Sequence, residues 1–132
     1  AAFVAAALAR EPGIASVSHP SLAAHPQHEL AALLYPHGTG GILAFELPGG
    51  RTAVDRFFRG LQTIAIVHSL GEVATTIGYP AASSHRSLPP GVRRALGVTD
   101  GTVRISVGIE RAEDIVADLA RALAGLGERV EA

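Results

Sequence analysis

The 132-residue chain has no cysteine, no methionine, no tryptophan and no lysine. Without cysteine there is no disulfide framework, no thiolate metal site and no cysteine nucleophile. A reducing compartment is compatible with that, and the expectation is a cytoplasmic protein. Without lysine, no side chain can form a Schiff base with an aldehyde cofactor or a carbonyl substrate; all 11 basic residues are arginine. The missing methionine extends to position 1, so the expectation is a chain processed or cut from a longer protein. Charge of one sign is also missing: the formal net charge is −1. No basic field is available to attract phosphate backbones or anionic lipid, and nucleic acid is not an expected partner. Long hydrophobic runs are absent too. The opening AAFVAAALAREPG meets Arg10 and Glu11 too early to span a bilayer and lacks a basic leader, so it reads as a helix and no membrane partner is expected.

What is present is a core-forming composition. Hydrophobic residues make up 48% and charged residues 17%, far from the signature of a disordered segment, and the length suits one domain. Phe3, Val4 and Leu8 stand at helical spacing before the Pro12-Gly13 stop, and a short strand is expected over 14–18. A helix is expected to begin near Pro26, with Leu30, Leu33 and Leu34 facing inward and Pro36 closing it. After the turn at Gly38–Gly41, a strand over 42–47 places Leu43, Phe45 and Leu47 on one face. A helix from Thr52 carries Val54, Phe57, Phe58 and Leu61 on one stripe, and the run 63–67 reads as a buried strand ending in His68-Ser69-Leu70-Gly71. Residues 77–90 read as a loop. Pro90–Leu96 reads as a short helix closed by Gly97, Asp100-Gly101 as a turn, and 102–107 as the clearest strand. The last helix is expected near Arg111, with Glu113 and Asp114 complementing its dipole and Ile115, Leu119, Leu123 and Leu126 as its apolar edge. This alternation of helix and strand predicts an α/β (α+β) fold with helices packed on a small sheet.

Alternation in the last strand puts Val103, Ile105 and Val107 on one face and Arg104 with Ser106 on the other. A guanidinium on a rigid strand can fork two hydrogen bonds onto a carboxylate and so fix the orientation of an amino-acid ligand. It can equally serve a structural ion pair, and periodicity leaves both readings open. The other constellations point to structure. His25 and His28 flank the helix start and do not share a face, and no third ligand is placed by spacing, so no metal is expected. The glycines at 38–41 precede a strand rather than open a helix, which favours turn chemistry over a phosphate cradle. Ser69 has no glycine-flanked elbow and no arranged His/Asp partner. Arg93 and Arg94 read as a solvated helix face.

Five collinear motifs carry a resemblance over almost the whole chain: His25-Pro26-Gln27-His28-Glu29-Leu30, Gly40-Gly41-Ile42-Leu43-Ala44-Phe45-Glu46-Leu47, Ser69-Leu70-Gly71, Pro80 through His85, and Asp100-Gly101 through Glu110. Together they resemble the C-terminal portion of the cysteine/methionine metabolism enzymes, which include cystathionine γ-synthases, cystathionine lyases, methionine γ-lyases and O-acylhomoserine sulfhydrylases. The resemblance implies the C-terminal small domain of a type I pyridoxal-phosphate (aspartate aminotransferase-like) fold, spanning 1–132, with a mostly antiparallel sheet. It implies that Arg104 clamps the substrate α-carboxylate and that Ser69, with Leu70 next to it, lies beside the substrate. Position 68, where cystathionine-specific members often carry glutamate, holds His68 and is marked as a specificity position. It further implies an amino-acid substrate, an upstream cofactor domain bearing the Schiff-base lysine, and a homotetrameric intact enzyme. Pyridoxal phosphate is expected in the intact enzyme and not on this chain alone, which is expected to be catalytically silent. The competing expectation is a stand-alone α/β module that binds a ligand or a protein without catalysis.

Overall fold

The computed structural model describes residues 1–127. A five-stranded sheet has the order β1-β2-β5-β4-β3, built from β1 (Ser16–Ser18), β2 (Ile42–Glu46), β3 (Ala65–Ile66), β4 (Thr76–Gly78) and β5 (Thr102–Ser106). All pairings are antiparallel except β3 with β4. The helices are α1 (Ala2–Leu8), α2 (His28–Leu34), α3 (Gly50–Gly60), α4 (Pro90–Ala95) and α5 (Ala112–Gly127), with one 3-10 turn at Pro80–Ala82. The α+β class and the mostly antiparallel sheet agree with the sequence reading, and no helix among the described residues is long and apolar enough to cross a membrane.

Two-residue periodicity divides the sheet into two chemically different faces. On one, register pairs Leu43 with Ile105, Phe45 with Val103 and Ile77 with Ile105. These side chains join Val4 and Leu8 of α1, Val54 and Phe57 of α3, and Ile115 and Leu119 of α5 in a single buried core, where Phe45 and Phe57 meet edge to face at 5.6 Å. The opposite face carries Ala44, Arg104 and Gly78 side by side, then Ser106 beside Thr76.

Four expectations fail. Leu30, Leu33 and Leu34 do not face inward: they are exposed, and Ala31 alone of α2 is buried. The helix has its apolar stripe, but that stripe lies at the surface. The run 63–67 is not a buried strand. It contributes the two-residue edge β3, and Ile66 and Val67 are exposed. The stretch from Ile77 does not begin as a loop, because Thr76–Gly78 is a fully buried strand between β3 and β5. Three residues are too few to show a period. Arg93 also departs from the solvated face expected for it: it is buried and paired through Nη2 with Asp100.

Candidate functional site

Arg104 lies midway along β5 between two small neighbours, Ala44 of β2 and Gly78 of β4. A Cβ at Gly78 would come to 3.3 Å from His68 Nδ1, a tight contact, and to 3.8 Å from Arg104 Nη2, an ordinary one. The cross-strand neighbours of Arg104 on the polar face are thus both small. The arginine is half-buried, and no Asp or Glu among the described residues lies within the 4.0 Å of an ion pair to it. Its Nη2 donates instead to the main-chain carbonyls of His68 (3.1 Å) and Ser69 (3.3 Å), and its Nε is buried without a hydrogen-bond partner. Carbonyl dipoles orient the cation without neutralising it, so its full charge stays available to an anion.

The segment that receives those bonds is the one singled out in the sequence. Thr76 Oγ1 donates to Ser69 O at 3.1 Å, and Gly71 N–H donates to Ser106 Oγ at 2.9 Å. Gly71 adopts a φ of 75°, a left-handed turn that glycine makes without strain. The structure thus brings His68 and Ser69 against Arg104 through main-chain atoms. The His68 ring and Leu70 are exposed beside it, and Ser69 is half-buried.

Beyond Gly71 a second polar knot fixes the far end of the segment. Glu110 accepts the N–H of Thr75 at 2.6 Å and its hydroxyl at 2.8 Å, while Thr75 Oγ1 also accepts Gly108 N–H at 2.9 Å. Partial burial works to raise the Glu110 pKa, but the hydrogen bonds from Thr75 prevail and hold it below the ordinary value. Gly108 has no room for a side chain, since a Cβ would lie 2.6 Å from the carbonyl carbon of Ala74. At the other end of β5, Glu46 accepts from Thr102 Oγ1 at 2.9 Å and from the Thr99 hydroxyl.

The structure brings together Arg104, His68 and Ser69, with Leu70 next along the segment, and adds Gly78 and Thr76, which the sequence did not single out because their relation to Arg104 is a cross-strand one. Among the described residues no three His, Cys, Asp or Glu side chains are grouped to hold an ion. His25 Nδ1 accepts Gln27 N–H at 3.2 Å, and His28 Nδ1 meets the Pro20 carbonyl at 2.8 Å.

The family profile described as Cys/Met metabolism PLP-dependent enzyme matches residues 1–124. This chain belongs to that family. It is 42% identical over 119 residues to O-succinylhomoserine sulfhydrylase of Pseudomonas aeruginosa, covering 90% of this chain and 29% of that protein. It is 41% identical to cystathionine gamma-lyase of Bacillus subtilis, covering 91% and 31%. Among solved structures, cystathionine gamma synthase from Xanthomonas oryzae pv. oryzae, in complex with aminoacrylate and cysteine, superposes with a TM-score of 0.82 at 38% identity, over 93% of this chain and 33% of that one. The chain spans about a third of the length of these Cys/Met metabolism relatives.

The family's cofactor can be tested against the residues present. Covalent capture of its aldehyde needs an amine, and the chain has no lysine. Without that amine the chain cannot itself form the Schiff base, while the Arg104 guanidinium has the charge and shape to pair with a carboxylate.

Proposed function

We propose that residues 1–132 form the C-terminal, substrate-gripping domain of a pyridoxal-phosphate-dependent lyase or synthase acting on sulfur amino acids. Arg104 binds the substrate α-carboxylate, Ser69 and Leu70 line the same place, and His68 bears on which side chain is accepted. An N-terminal domain holds the cofactor, which supplies the electron sink for the chemistry, and the intact enzyme assembles as a homotetramer in the cytoplasm. The chain alone, lacking the amine, is inactive.

One observation carries this reading: a half-buried guanidinium, mid-strand between Ala44 and Gly78, oriented by carbonyls and facing no acidic partner among the described residues. A structural ion pair would need a carboxylate beside it. The stand-alone module loses ground for that reason, and because the relatives that match are enzymes.

The test is Arg104→Ala in the full-length enzyme. Loss of a forked charge-assisted pair is expected to lower kcat/KM at least about a hundredfold, with the cofactor's absorbance retained. A kcat/KM within threefold of wild type would remove Arg104 from substrate capture. Turnover by the purified 132-residue chain would refute its proposed silence.

A further inference from the structure

Arg104 does not orient itself. Its Nη2 rests on the carbonyls of His68 and Ser69, so the guanidinium can be no better placed than that segment, which runs outside the strands between β3 and β4 and has exposed side chains at His68, Leu70 and Glu72. Two hydroxyls anchor it from the sheet. Ser106, two residues along β5 from Arg104 and on the same face, accepts Gly71 N–H at 2.9 Å. Thr76, paired in register with Ser106, donates to the same Ser69 carbonyl that Arg104 contacts, at 3.1 Å. Ser106 and Thr76 are nearly sealed, at 3% and 4% exposure. A buried hydroxyl that touches backbone in this way holds one geometry, because leaving either partner unmade carries a desolvation cost.

We propose that Ser106 and Thr76 are positioning residues that hold the 68–71 segment at the height where its carbonyls aim Arg104 at the substrate carboxylate. Neither touches the ligand. Thr76 bonds the carbonyl that the guanidinium leans on, and Ser106 fixes the turn two residues further on. The two hydroxyls and Arg104 therefore act as one unit spread over neighbouring strands. This inference rests on the proposed role of Arg104 and adds to it the parts that set its aim.

The role predicts a particular kinetic pattern. A misaimed clamp weakens the grip on the carboxylate in the ground state and the transition state alike, so KM rises while kcat changes little. In the full-length enzyme, Thr76→Val keeps the shape and removes the donor, and Ser106→Ala removes the acceptor. Each is expected to raise KM for the amino-acid substrate roughly tenfold with kcat within about twofold. Ser106→Thr, which restores a hydroxyl, is expected to recover most of the loss. Hydrogen exchange supplies a readout independent of turnover: the amide of Gly71 should exchange faster in Ser106→Ala and at the wild-type rate in Ser106→Thr. The inference is overturned if KM stays within twofold in both Thr76→Val and Ser106→Ala, or if kcat falls in step with kcat/KM. It is overturned equally by Thr76→Val alone leaving KM unchanged should Ser106→Ala fail to fold. Arg104→Ala in the same series separates the two ideas. A large effect there with silent hydroxyl variants sinks only the positioning role, whereas a silent Arg104→Ala sinks the proposed function itself.

Discussion

The carboxylate of Asp118 on α5 accepts the backbone N–H of Ile64 at 2.9 Å, tying the last helix to the chain entering the sheet edge. The same carboxylate accepts Thr63 N–H and Oγ1, both at 2.9 Å, and Gln62 N–H at 3.0 Å. Arg121, one turn later, pairs with it at 2.6 Å. With 1% exposure, it is a buried charge whose cost is met by donors on nearly every side. Asp118→Ala would strand those N–H groups, and the expected destabilisation is about 3 kcal/mol by urea unfolding. A loss under about 1 kcal/mol would mean that water replaces the carboxylate there.

The same site sets an acid limit. Burial raises the Asp118 pKa, but the N–H groups of Ile64, Thr63 and Gln62 outweigh it and bring the value from 3.8 to about 2. A carboxylate lowered on folding stabilises the fold above its unfolded pKa and loses that contribution as pH falls toward the folded one. Roughly 2 kcal/mol should therefore disappear between pH 4 and pH 2, and the slope in that window should shrink in Asp118→Asn.

His19 governs a separate window. It is 1% exposed, with Nδ1 accepting Ser21 N–H at 3.2 Å. Burial lowers its pKa below 6.5 and outweighs the opposing bond to the Gly40 carbonyl. The unfolded chain then takes up the proton first, so stability is full above pH 6.5 and declines as pH falls below it. Replacing His19 with Gln should remove only the portion that starts near 6.5 in thermal melts taken from pH 8 to pH 5. An unchanged slope between 6.5 and 5 would show that the ring is protonated without cost.

Arg104 was legible because alternation along β5 needs only its own neighbours in sequence, and β2 and α5 were legible through the same local periodicity. What surrounds Arg104 was not. Gly78 and Thr76 reach it through pairing across the sheet, and β4, which holds them, is too short to show a pattern. Arg93 escapes a local reading for a related reason: its partner, Asp100, lies beyond the helix in the following turn. The leucines of α2 fail differently, since periodicity identifies an apolar face without saying that the face meets the core.

Glycines at two helical positions make opposite predictions. A Cβ on Gly60, at the end of α3, would lie 2.8 Å from Ala122 Cα, where α3 packs on α5. Gly60→Ala must push the two helices apart, with an expected cost of about 1 to 3 kcal/mol. Gly125, inside α5, is open: a methyl group added there would meet nothing within 4 Å. Gly125→Ala should therefore stabilise the chain by about 0.5 to 1 kcal/mol, chiefly by limiting the unfolded chain. Matched denaturant curves decide both, and equal signs for the pair would contradict the packing of α3 on α5.

The outward stripe of α2 and the inward face of β2 should respond very differently to substitution. Leu33 is 77% exposed, whereas Leu43 on β2 is 1% exposed and sits in the core. Leu43→Ala opens a cavity among Phe45, Ile105 and their neighbours and should cost about 2 to 5 kcal/mol. Leu33→Glu exchanges one solvated side chain for another on a helix-compatible residue, so its effect should stay within about 0.5 kcal/mol. If Leu33 instead faced the core, as its spacing in the sequence suggests, a buried unpaired carboxylate would unfold the domain. Thermal melts of the two variants at one pH distinguish these outcomes, because the inward arrangement predicts that Leu33→Glu is the more damaging of the two.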